Sequence, residues 1–184
     1  MAKKLNAVPR GYRSATPALV IRNAAAAVDY YAHIFGATEL SRIYAPDAIT
    51  IQRAEIKIGN SILHLSDEMP IFGVLSPLAL GGASTAVQLY LDDIDAVWQR
   101  ALDAGCTAII AMETAYWGER SGRIIDPFGH VWTLSQRVEA VSKAELEKRI
   151  VALFPVAETP VIDEQIPTVD IRSIEETFGA EARI

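Results

Sequence analysis

The polar and apolar positions between Thr50 and Ser66 alternate in two short runs. "TIQRAEIKI" (Thr50–Ile58) reads as a strand, Gly59-Asn60 as a tight turn, and "SILHLS" (Ser61–Ser66) as the returning strand. Upstream the period changes. "AAAAVDYYAHIF" (Ala24–Phe35) places Val28, Tyr31 and Phe35 on one helical face, with Asn23 positioned as an N-cap and Gly36 as a stop. On either side, "TPALVIRN" (Thr16–Asn23) and "ATELSRIYA" (Ala37–Ala45) are β-prone. The order predicted for residues 14–66 is therefore β-α-β-β-β.

That order then repeats. "TAVQLYLDD" predicts a strand, "IDAVWQRALDAG" a helix stopped by Gly105, and "CTAIIAM" a second strand. "ERSGRIID" and "VWTLSQ" predict two more strands, joined by the corner Asp126-Pro127-Phe128-Gly129-His130. At one constant offset Val28 meets Val97, Gly36 meets Gly105, Thr38 meets Thr107 and Leu65 meets Leu134. Identities at the same landmarks of each unit point to a duplication. The expected organisation is a first module over 14–66, an apolar Pro- and Gly-containing linker over 67–84, a second module over 85–137, and a C-terminal helix and tail over 138–184. The helix is signalled by "VSKAELEKRI", with Ser142 and Glu145 as a capping box. The proline-bearing tail after Val151 is expected to run extended, with one more short helix in "DIRSIEETFG".

Composition narrows the function classes. A formal net charge of −6 argues against a nucleic-acid surface, which needs clustered cations. No apolar run approaches the length of a membrane span. Cys106 is the single cysteine, so no disulfide can form within the chain. The basic start of the chain lacks an apolar segment behind it, and the expectation is a soluble, cytoplasmic protein. The Gly-x-Ser-x-Gly, P-loop and Rossmann patterns are absent.

The paired modules, "AAAAVDYYAHIFGA", "VWQRALDAGC" and above all "YWGERSGRIIDPFGHVWTLSQR" resemble the vicinal oxygen chelate superfamily of glyoxalases, bleomycin-resistance proteins and dioxygenases, with the last stretch most similar to its PhnB-like branch. The resemblance spans about residues 14–150 and implies an α+β fold: tandem βαβββ modules whose curved mixed sheets enclose a cavity, paired within one chain or across a homodimer. In the metalloenzymes of this superfamily four ligands on the concave surface hold a divalent ion that stabilises an enediolate or alkoxide. The matching positions here are Thr16, His64, Thr133 and either Thr85 or Ala86. The constant offset selects Thr85, whereas strand parity selects Ala86, because Val87, Leu89 and Leu91 then share the helix side. One imidazole among hydroxyls does not match a divalent site. No metal and no other cofactor is therefore expected.

The candidate site follows from parity. His64 points away from Leu63 and Leu65, into the cavity, where it can orient a ligand or act as a base. Gln88 and Tyr90 join it in the Ala86 register, as do Thr16 and Thr133. Trp117 and Arg120, next to Tyr116, suit stacking on a planar or anionic ligand. Arg53, Glu55 and Lys57 read as an exposed ladder or a polar cavity wall, and the ladder is the commoner outcome. His130 shares a side with Trp132 and is expected to serve the corner, and His33 is expected to be exposed.

The reading drawn from these residues is a protein that holds a small organic ligand in the cavity without a catalytic metal. The alternative is a metal-dependent lyase or isomerase of the glyoxalase type, using His64 with Glu55 or a partner-supplied ligand. A third reading makes the tail after Val151 a docking segment.

Overall fold

A computed structural model describes residues 6–154 of the chain. The tail beyond, including the short helix expected in "DIRSIEETFG", lies outside the described residues. Residues up to Ser142 form one compact unit, and the helix that starts at Lys143 belongs to a second.

The first module runs β1 (Ala18–Ile21), α1 (Ala24–Phe35), β2 (Thr38–Tyr44), β3 (Ile51–Ile58) and β4 (Ser61–Asp67). Its sheet has the order β1-β4-β3-β2, with β1 parallel to β4 and the other pairs antiparallel. The second module repeats the plan with β5 (Ala86–Tyr90), α3 (Ile94–Asp103), β6 (Thr107–Thr114), β7 (Glu119–Ile125) and β8 (Val131–Arg137), in the order β5-β8-β7-β6. This is the α+β fold of paired βαβββ modules. The segment between the modules is more than a linker. It holds a 3₁₀ turn at Pro70–Phe72 and a one-turn helix, α2 (Pro77–Leu80), nucleated by Pro77 and capped by the fully buried Ser76. In the second unit, α4 spans Lys143–Leu153.

Local sequence explains the helix ends. Asn23 adopts a left-handed backbone and accepts the amide of Ala26, and Gly36 closes α1 in the left-handed region. Asp67, at the end of β4, accepts the amides of Ala24 and Ile51 at 2.7 Å each and so ties the start of α1 to the start of β3.

One apolar core serves both modules. Tyr31 of α1 stacks on Phe35 and meets Trp132 of β8 edge-on at a centroid distance of 5.1 Å. The helices also touch directly: Tyr30 donates to the carbonyl of Ala104, and Arg100 to that of Ile34. The helix-covered faces of the two sheets are thus buried against a shared layer. Their opposite faces are left half-exposed, and these carry the candidate residues.

Candidate functional site

Strand parity places the side chains. Val87 and Leu89 turn inward, while Ala86, Gln88 and Tyr90 turn to the open face. The register decides between the two alternatives at β5. Ala18 pairs with His64 in the first sheet and Gln88 with Thr133 in the second. With His64 equivalent to Thr133, Ala18 is equivalent to Gln88, and Thr16 to Ala86. The offset grows by one residue along β5, and parity prevails over it.

On the open face of the first sheet, His64 sits at the centre of a polar cluster. An Arg53 Nη lies 3.0 Å from His64 Nε2, and the Tyr12 hydroxyl 3.3 Å from the same atom. The guanidinium also donates to Tyr12 at 3.3 Å and forms an ion pair with Glu55 at 2.7 Å. Glu55 lies directly opposite His64 in the β3–β4 ladder. Arg53 and Glu55 therefore form a partly buried wall beside His64 rather than an exposed ladder; only Lys57 stays exposed. A guanidinium can only donate, so His64 Nε2 is the acceptor and carries no proton in this arrangement. Partial burial, followed by the Arg53 charge, holds the imidazole below its ordinary pKa, with Glu55 pulling the other way. The Arg53 Nε is buried without an acceptor among the described residues. A small cavity of about 170 Å³ opens beside His64, lined by Ala18, Gln52, Arg53 and Ser66 among others.

The open face of the second sheet is built differently. Gln88 donates from its amide to Tyr90 at 3.1 Å and to Ser135 at 3.0 Å. Tyr90 donates to Glu119 at 2.9 Å, and the Trp117 indole to the other oxygen of that carboxylate at 3.2 Å. Arg123, opposite Thr133 in the ladder, donates to its hydroxyl at 3.1 Å. Gln88, Trp117, Glu119, Arg123, Thr133 and Ser135 border a cavity of about 350 Å³ with Ile110 on its apolar side. Thr16 faces a third cavity, of about 250 Å³, which it shares with Gln88. The structure thus joins Gln88, Trp117 and Thr133 around one cavity, with Tyr90 tied to Gln88 and Glu119 outside its lining, and His64 with Arg53 around another. Among the described residues no hydrogen bond or ring contact links the two clusters.

Arg120 departs from the expected set. It has the parity of Gly122 and Ile124, and its guanidinium is fixed on Asp95 of α3 at 2.7 Å, away from the face that holds Gln88. His130 serves the corner. Its Nε2 lies 3.1 Å from the carbonyl oxygen of Val20, and its amide donates to the buried Asp126. Asp126 also accepts from the Tyr31 hydroxyl and the Trp132 indole, at 2.7 and 2.8 Å.

Sequence reasoning missed Tyr12, Arg123, Glu119 and Ser135. Ser135 and Thr133 share a face of β8, so parity could have found the serine. Tyr12 carries no such signal, because it lies in no periodic element.

A family model, the Glyoxalase/Bleomycin resistance protein/Dioxygenase superfamily, matches residues 13–134. The chain belongs to this superfamily. An uncharacterized protein of Mycobacterium bovis is 39% identical over 135 residues, covering 72% of this chain and 88% of the relative. A Mycobacterium tuberculosis counterpart, also uncharacterized, has the same identity and covers 79% of its own length. Among solved structures, TioX from Micromonospora sp. ML1 aligns with a TM-score of 0.52 at 23% identity, over 71% of this chain and all of TioX. The bleomycin resistance determinant encoded on the transposon Tn5 aligns with a TM-score of 0.50 at 23% identity, over 68% of this chain and 98% of its own. These likenesses confirm the fold.

The superfamily's metalloenzymes raise the question of whether the four equivalent positions fit a divalent ion. Thr16 and Thr133 offer neutral hydroxyls, Ala86 offers no donor, and the Nε2 lone pair of His64 already accepts from a permanent cation. Arg53 would sit within about 3 Å of an ion on that nitrogen. Thr133 already accepts from a second guanidinium, Arg123. This donor set does not fit a divalent cation.

Proposed function

We propose that this protein binds a small organic molecule on the concave faces of its sheets, in the manner of a PhnB-like or bleomycin-resistance-type member, and that it does so without a resident metal. The observation that carries the reading is the Arg53–His64 contact at 3.0 Å. It takes up the one imidazole lone pair that a metal or an abstracted proton would need, and leaves a preorganised set of donors beside a cavity. The polar groups of the second face, Gln88, Glu119, Thr133 and Ser135, converge on a cavity that also has an apolar wall, as small-molecule sites do.

The functional unit in this reading is a cytoplasmic homodimer. Because the helix-covered faces meet within the chain, each concave face stands half-open. Apolar groups lie exposed on these sheets and their rims, including Leu40, Ile43, Tyr90, Ile110 and Trp117. A second copy laid over them would bring a first-module face of one chain to a second-module face of the other, closing His64 and Gln88 around one ligand. No helix among the described residues is long and apolar enough to cross a membrane.

The test combines mass, metal and turnover. Sedimentation should give twice the 20.0 kDa chain mass. Elemental analysis of protein purified without chelators should give well under about 0.1 equivalent of Zn, Ni, Mn or Fe, and supplying these ions should produce no turnover of glutathione hemithioacetals. Near-stoichiometric metal, or turnover abolished by His64→Ala, would make the protein a glyoxalase-type lyase or isomerase instead.

A further inference from the structure

The sequence around Pro9-Arg10-Gly11-Tyr12 folds as a tight turn. The Tyr12 amide donates to the Pro9 carbonyl at 3.1 Å, and Gly11 takes φ of +90° at the third position, which suits glycine. A side chain there would be strained whatever its size, and the site of a Cβ lies 3.7 Å from Ile62 Cδ1. The turn therefore rests on the first sheet beside Ile62 and hands Tyr12 to the His64 cluster. It also sets Arg10 and Arg13 across from Lys57, whose ladder partner is Ile62. Together with Leu40 these residues line an open groove of about 640 Å³, larger than the cavities of about 170 and 350 Å³ beside His64 and Gln88.

The charge in this groove is unusual for this chain, which has 23 acidic against 17 basic residues. Elsewhere, Arg22, Arg42, Arg53 and Arg120 each hold a carboxylate within 2.7–2.9 Å. Arg10, Arg13 and Lys57 make no ion pair or side-chain hydrogen bond among the described residues, and no acidic residue lines the groove. Three unneutralised cations bordering a concavity attract an anion, and the low-dielectric walls formed by Leu40 and Ile62 strengthen that attraction. The groove is continuous with the functional face, because Tyr12 belongs to both and Lys57 follows Glu55 along the same side of β3.

We infer that the groove receives the anionic head, a carboxylate or a phosphate, of an amphiphilic organic ligand whose apolar part lies along Ile62 and Leu40 towards His64. This rests on the reading of the concave face as the ligand site and specifies the class of molecule that site takes.

The test uses the full chain and four eight-carbon probes: octanoate, octyl phosphate, octanol and octylammonium. Binding is followed calorimetrically, and by NMR shifts of the His64 ring and of the Arg10, Gly11 and Lys57 amides. Octanoate or octyl phosphate should bind about tenfold or more tightly than octanol, as expected for one or two charge-assisted contacts at a partly solvated site, and octylammonium more weakly than octanol. Whichever anion gains more identifies the head group. The variant Arg10→Gln/Arg13→Gln/Lys57→Gln, altered only at exposed positions, should lose that advantage and keep its affinity for octanol; Lys57→Glu alone should lose part of it. If octanol and the anions bind equally and all shift His64, the anion assignment falls while the ligand-binding face stands. If the triple variant keeps the anion preference, the groove is not its source and the inference falls. If no probe shifts either His64 or the groove amides, both the inference and the reading beneath it fall.

Discussion

The two modules share a topology and a common core, yet their open faces hold opposite chemistry at the same place. Opposite His64 in the first sheet stands Glu55; opposite Thr133, its equivalent in the second, stands Arg123. The first face gathers Arg53, Tyr12 and the basic groove around an imidazole. The second gathers an amide, three hydroxyls, an indole and the Arg123 guanidinium beside Glu119. A duplicated scaffold conserves what its core demands and leaves the open face free, because a change on the half-solvated side of a strand perturbs packing little.

The corners between the last two strands also differ, and here the expected effect of a mutation is largest. The first module turns on Gly59-Asn60, at the surface. The second turns on Asp126, a buried carboxylate that satisfies Tyr31, Trp132 and the amides of Phe128 and His130. Asp126→Ala leaves buried donors unpaired across the shared core and should cost about 3–4 kcal/mol, read from the urea midpoint. Asn60→Ala should cost less than about 0.5 kcal/mol. Similar costs at the two corners would show that Asp126 does not join the modules.

A smaller effect distinguishes the helix-covered faces. Ala54 of β3 and Gly122 of β7 occupy equivalent positions, opposite Leu65 and Leu134. Trp98 of α3 packs so closely on Gly122 that an added Cβ would lie 2.7 Å from its ring and 3.1 Å from the Met112 Cα. Gly122→Ala should therefore destabilise by about 1–3 kcal/mol. A melting temperature unchanged by this substitution would mean that Trp98 gives way freely and that the second module packs more loosely than the first.

The smallest effect is electrostatic and confined to the first face. His64 should titrate below the ordinary 6.5, because partial burial and then Arg53 disfavour its charged form. Arg53→Met should raise its pKa and Glu55→Gln should lower it, as read from ring-proton shifts. Burial lowers the His130 pKa as well, against the pull of Asp126. Both imidazoles bind a proton less readily in the folded chain than in the unfolded one, so the unfolded state takes up protons first as pH falls. Stability should accordingly be fully present above about pH 7 and decline as pH drops through 6.5. A flat stability profile between pH 7.5 and about 5.5 would contradict both directions.

Much of this was legible without coordinates. Period-two and period-3.6 patterns placed the strands and helices, Asn23 and Gly36 marked the ends of α1, and parity put Gln88 and Tyr90 on the open face. The offset between modules failed by one residue at β5, since pairing within a sheet tolerates a shift in the loop before it as long as the apolar stripe stays inward. Arg120 was misplaced although it lies in the predicted strand "ERSGRIID": its parity with Gly122 and Ile124 turns it away from the open face, to the side where Asp95, distant in sequence, holds it.

The sequence by itself determined the duplicated βαβββ plan, the alternation that turns Leu63, Leu65, Val87 and Leu89 inward, and the neutral hydroxyls of Thr16 and Thr133 beside a single imidazole at His64. These are local matters of period, turn chemistry and donor type, and they are written residue by residue. Only the tertiary structure decided that Arg53 occupies the lone pair of His64, that Tyr12 reaches that cluster from a turn outside the modules, and that Arg10, Arg13 and Lys57 face one groove without a counter-charge. Each of those depends on side chains brought together from separate segments, and no pattern along one strand or helix records which of its polar residues will meet another's.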